Sequence, residues 1–123
     1  MLPAQHRLRE RADFAAAVRG PGGARSGSRL IVVHASRTDT RAGQPPRVGL
    51  VVSKAVGNAV IRNRTKRRLR AVMGALLASL PPGTDVVVRA NPSAAQADLG
   101  QLQDELERLL PRVLQRLTPR EGA

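Results

Sequence analysis

The chain has no cysteine, no tryptophan and no tyrosine, and its one aromatic side chain is Phe14. Without thiols there is no disulfide framework and no thiolate metal site, and nothing asks for an oxidising compartment, so a cytoplasmic location is expected. The segment Met1 to Glu10 lacks the apolar core of a signal peptide, and the longest apolar runs are of strand length. The expectation is therefore a protein that is neither exported nor membrane-spanning. Acidic residues are also scarce: 9 Asp and Glu stand against 21 Lys and Arg, and none occurs between Asp39 and Asp85.

What is present fits one compact domain spanning 1–123, since 123 residues with 41% hydrophobic content support a single core and hardly two. A formal charge of +12 exceeds what solubility needs and points to a polyanionic partner, nucleic acid ahead of an acidic membrane surface.

Leu8 to Val18 is alanine-rich, places Leu8, Ala12, Ala15 and Ala16 near one face, and stops at Gly20-Pro21-Gly22-Gly23, which predicts a short first helix. Leu30 to Ala35 and Val48 to Ser53 are β-branched runs that read as strands, separated by the turn residues of Arg41 to Arg47. The stretches Gly20 to Ser28 and Asp39 to Pro46, rich in Gly and Pro, read as loops. Asn58 to Leu80 has the length of a long helix, with Asn58 as N-cap and Pro81-Pro82-Gly83 as its stop. Asp85 to Ala90 is a further strand. Leucines and valines recur at three- and four-residue steps from Leu99 to Leu117, an amphipathic helix that Pro111 is expected to kink or split near Leu110. This order gives an α+β domain in which helices cover one sheet.

At about 100° per residue, Ile61, Leu69, Val72, Leu76 and Leu80 share one side of the long helix, and Asn63, Arg64, Lys66, Arg67, Arg68 and Arg70 lie across from them. These cations have no acidic residue nearby with which to form i,i+4 pairs, and an uncompensated block repels itself unless a polyanion is present. If about six of them neutralise phosphates, the logarithmic salt slope on a duplex is about −5, with little sequence information in it. Arginine suits this because its planar fork donates two parallel hydrogen bonds to phosphate. Upstream, Lys54-Ala55-Val56-Gly57-Asn58 leads from a strand end through a glycine turn to a helix N-terminus, a place where backbone N–H groups favour anions. A tight turn with a capping Asn explains Gly57 and Asn58 equally well.

The stretch RVGLVVSKAVGNAVIRNRTKRRLR, Arg47 to Arg70, resembles the signature segment of the bacterial ribonuclease P protein subunit family in order and spacing. Leu8-Arg9 through Asp13-Phe14 resembles that family's first helix, Asp85 to Ala90 its last strand and the leucine-spaced segment its last helix, so the likeness covers about 8–117, the expected ordered core. The resemblance implies about four strands in a mixed sheet, the order α-β-β-β-α-β-α, and an unusual left-handed β-α-β crossover from the Val48 strand to the Val86 strand, where general topology favours the right hand. It implies assembly with a catalytic RNA subunit that holds Mg2+, and removal of the 5′ leader from precursor tRNA. On this likeness Asn58, Arg62, Asn63, Arg64, Lys66, Arg67 and Arg70 contact the catalytic RNA, with Arg68 beside them on the cationic face, and Lys54 contacts RNA at the edge of a cleft. The leader is expected between the first helix and the sheet, at Phe14 and the neighbouring strands. The family often has further aromatics at the places of Val18 and Val33. Stacking contributes about 1–3 kcal/mol per base, so here aliphatic contact and arginines must substitute for it.

Taken alone, Phe14 on an alanine-rich helix is more often core than a stacking platform. His34 lies within an apolar strand and His6 near a terminus, a poor acid–base pair. Asp104, Glu105 and Glu107 read as the solvated side of the last helix, not as metal ligands. No catalytic side chain, small-molecule site or protein-held metal is expected. A structural RNA-binding protein of the ribosome or its assembly accounts for charge and fold but not for the Lys54 to Arg70 pattern. A self-sufficient nuclease lacks its nucleophile, acid and base.

Overall fold

The structure, a computed structural model, describes residues 6–8, 23–37 and 42–117. Four strands, β1 (Ala24–Gly27), β2 (Ile31–Arg37), β3 (Arg47–Val51) and β4 (Thr84–Ala90), form one sheet in the order β1-β2-β4-β3. β2 runs antiparallel to both β1 and β4, and β3 lies parallel to β4, so the sheet is mixed. Helix α1 (Ala59–Leu76) makes the crossover between β3 and β4, and α2 (Leu99–Leu117) follows β4 through a short 3-10 turn, Pro92–Gln96. The architecture is α+β as expected; the first helix, proposed over 8–18, falls almost wholly outside the described residues.

Strand alternation divides the sheet into two unlike faces. Ile31, Val33 and Ala35 of β2, Val86, Val88 and Ala90 of β4, and Val48 of β3 point one way and join Leu69, Val72, Met73, Leu102, Leu106, Leu109 and Val113 of the two helices in one core. The opposite face carries Arg25, Val32, His34, Asp85, Val87 and Arg89, and among the described residues Leu8 packs onto it against Val87 and Val51. At one end of this face Arg47 and Asp85, partners in the β3–β4 register, close a two-point ion pair, Nε to Oδ1 at 2.9 Å and Nη2 to Oδ2 at 2.7 Å.

Three expectations are corrected. Ala24–Gly27, inside a segment that reads as loop, is an edge strand: its ladder with Ala35 to Val32 and the burial of Ser26 outweigh its low intrinsic strand preference. The long helix ends at Leu76 and finishes in a 3-10 turn, Leu77–Ser79, short of Pro81. Pro111 does not split the last helix, which runs unbroken from Leu99 to Leu117. The ring sits on the exposed side, where the carbonyl deprived of its donor can face water, while Leu109, Leu110 and Val113 hold the helix to the core.

Candidate nucleic-acid interface

The entry to α1 is set by two residues. Gly57 has φ 155° and ψ −166°, a region essentially confined to glycine, and a Cβ there would lie 2.9 Å from Cγ2 of Ile61. Asn58 then caps the helix, its Oδ1 accepting from the Ile61 N–H at 3.0 Å. Lys54 is exposed in the 3-10 turn Lys54–Val56 just upstream, so it stands beside the start of the basic helix as the spacing suggests.

The other expected residues, Arg62, Asn63, Arg64, Lys66, Arg67, Arg68 and Arg70, all lie on α1, but they do not form one uniform face. Asn63 and Arg67 are fully outward, next to Ala59 and Val60, whose side chain is 75% exposed. The remaining cations are half-buried along their stems. Arg64 donates from Nη2 to the Ala95 carbonyl at 2.9 Å, and Arg68 from Nη1 to the Ala97 carbonyl at 2.7 Å. Two arginines of the block are therefore anchored to the β4–α2 connection. Nε of Arg62 and of Arg64 is buried without a hydrogen-bond partner, a cost that a folded protein seldom carries away from a binding surface. Among the described residues no carboxylate pairs with any cation of α1: Asp85 is held by Arg47 and Glu105 by Arg108. Among the described residues the positive charge of this helix is uncompensated in space as well as in sequence.

A second cationic region lies on the face of the sheet opposite the two helices. Arg25, Val32, His34, Ser53, Ala55, Arg89, Ala90, Asn91 and Pro92 line a pocket of about 310 Å³. Burial, then the charges of Arg25 and Arg89, holds the His34 imidazole below its ordinary pKa. Reading the chain as residues in an apolar strand overlooked this group. The signal was the two-residue period of β2, which sends His34 with Val32 to the face opposite Ile31 and Val33.

The same period corrects Val33, proposed for the cleft: it has no exposed surface and belongs to the core beneath the helices. Phe14 and Val18 lie outside the described residues. Among the described residues no group of three or more His, Asp and Glu gathers that could hold a metal ion. Among them, too, no helix is long and apolar enough to cross a membrane.

A four-stranded mixed sheet, roofed on one side by a helix of unpaired arginines and lysines, defines a small α+β protein of the RNA-binding class. The sequence model of the Ribonuclease P family matches residues 2–114. The chain is 52% identical over 120 residues to the ribonuclease P protein component of Streptomyces avermitilis, covering 93% of this chain and 96% of that one. It is 54% identical over 107 residues to that of Beutenbergia cavernae, covering 87% of each. In three dimensions it is similar to the RNase P protein of Staphylococcus aureus, with a TM-score of 0.73 and 30% identity over 87% of this chain and 94% of the other. The chain belongs to the ribonuclease P protein component family.

Proposed function

We propose that this chain is the protein subunit of a ribonuclease P whose RNA subunit carries out the cleavage, and that it helps remove the 5′ leader of precursor tRNA. The observation that carries this reading is the α1 face, where Arg62, Lys66, Arg67 and Arg70 have no carboxylate partner among the described residues, in a chain of the ribonuclease P protein family. In this reading that face lies against the ribonuclease P RNA. Arginine forks neutralise closely packed phosphates there, which lowers the repulsion that folding the RNA around its metal ions must overcome. Lys54 and Asn58 extend the contact to the edge of the sheet, and the face of the sheet opposite the two helices receives the single-stranded leader. Its arginines bind the leader backbone, in place of the ring stacking that a chain with one aromatic cannot supply. In this reading magnesium belongs to the RNA partner, and hydrolysis proceeds without a nucleophile from this chain.

The family match favours this reading over a structural protein of the ribosome or its assembly. Cleavage of a 5′-labelled precursor tRNA at low magnesium tests it, with a bacterial ribonuclease P RNA alone, the protein alone, and both. Leader release by the mixture only is the expected result. Release by the protein alone, or no stimulation of a matched RNA, would overturn it.

A further inference from the structure

We propose that Arg25, His34 and Arg89 form a phosphate-binding site on the face of the sheet opposite helices α1 and α2, where binding of an RNA phosphodiester is coupled to uptake of a proton by the His34 imidazole. This rests on the reading that this face receives RNA.

The three side chains are brought together by register alone. Arg25 of β1 is the cross-strand partner of His34 on β2, and Arg89 of β4 is the partner of Val32, one step along the same face. Directly opposed residues on one face have Cβ atoms roughly 5 Å apart and diagonal ones roughly 7 Å apart, within reach of two arginine forks and an imidazole. All three line the same pocket, and only 8% of the His34 surface is exposed.

Among the described residues the charges lining this pocket are of one sign. Arg25 faces it from β1 and Arg89 from β4, while the lining residues from the adjoining turns, Ser53, Ala55 and Asn91, carry no charge. Lys54 stands exposed between Ser53 and Ala55 and adds to the positive field. The acid on this face, Asp85, lies opposite Ser36, one step beyond His34, and is engaged by Arg47. Adding a proton to His34 in the empty site sets a third positive charge beside two others in a partly desolvated pocket, which is why burial and both arginines favour the neutral ring.

A phosphodiester bridging Arg25 and Arg89 reverses that balance. Its negative charge cancels the repulsion, and the protonated ring becomes a further donor to a phosphate oxygen. The ring takes its proton from solvent, and no bond is made or broken. By linkage, a group that binds its proton more tightly in the complex makes the complex tighter as the pH falls, by up to about tenfold for each unit by which its pKa rises.

The histidine resonances of the full chain, followed by NMR across pH 5 to 8 at constant ionic strength, with and without a short unstructured RNA, read this directly. There are two histidines, His6 and His34, and the variant His34→Gln assigns them. The titration midpoint of His34 should rise on adding RNA. Affinity for the same RNA should increase several-fold from pH 8 to pH 5.5 in the native chain and much less in His34→Gln. Inorganic phosphate in place of RNA should move the midpoint in the same direction. RNA that binds without raising the His34 midpoint would overturn the proposal and leave the RNA reading intact. RNA that binds at no pH would remove both.

Discussion

Helices α1 and α2 are nearly equal in length, 18 and 19 residues, and both lie on the same core, yet they treat charge in opposite ways. On α2 acids are interspersed with the arginines, and two side-chain pairs close within the helix, Arg108 donating to Glu105 at 2.8 Å and Gln103 to Glu107 at 3.1 Å, while Arg116 reaches the Arg25 carbonyl of β1. On α1 there is no acid at all, and the only protein acceptors for its cations, among the described residues, are the carbonyls of Ala95 and Ala97. Charge satisfied within its own helix behaves as solvated surface. Charge left without a counter-charge, on a helix whose other side is needed for the core, is charge kept for a partner.

The largest effects should not distinguish the helices. Leu69→Ala on α1 and Leu106→Ala on α2 each empty a fully buried position, and each should cost about 3 kcal/mol in denaturant unfolding. A large inequality would mean that one helix is not integral to the core. The next effect separates two kinds of arginine on α1. Arg64→Ala removes a charged donor from the partly buried Ala95 carbonyl and should lower stability by about 1–2 kcal/mol, whereas Arg67→Ala, on the outer face, should leave unfolding almost unchanged. Equal unfolding energies for the two variants would refute the division into anchored and free cations.

Smaller still is the cap. Asn58→Ala should cost about 1 kcal/mol, read from the midpoint of thermal unfolding, because the Ile61 N–H loses its side-chain acceptor. The smallest effect is one of pH. His34 has a folded-state pKa below its unfolded value, so the unfolded chain binds more protons as acid is added. Stability from this group is complete above the ordinary histidine range and declines as pH falls through it. His34→Gln should flatten that part of the stability profile, and an unchanged slope between pH 7 and 5 would remove His34 as its source.

Much of this was legible in the chain because it depends on local pattern. Leucine spacing marked α2 from Leu99 to Leu117, and Asn58 announced the start of α1 by its capping chemistry. The missing pieces depend on groups far apart in sequence. β1 is a strand because β2 and α2 are beside it, and Gly27 and Ser28 by themselves read as a turn. Arg64 and Arg68 lie on the polar side of a helical wheel, yet their long stems reach round to carbonyls 31 and 29 residues away. The neighbours of His34 were hidden for the same reason, since Arg25 and Arg89 meet it only through strand pairing.

The central claim is that the unpaired cations of α1, and not the net charge of the protein, hold RNA. Titration of a ribonuclease P RNA over a range of salt concentrations, with the native chain, with Arg67→Ala plus Arg70→Ala, and with Arg108→Ala plus Arg112→Ala, tests it at equal net charge in the two variants. The account predicts that the α1 variant binds more weakly with a salt slope smaller by about 2, one unit for each lost phosphate contact, and that the α2 variant matches the native chain. Equal losses in the two variants would contradict it.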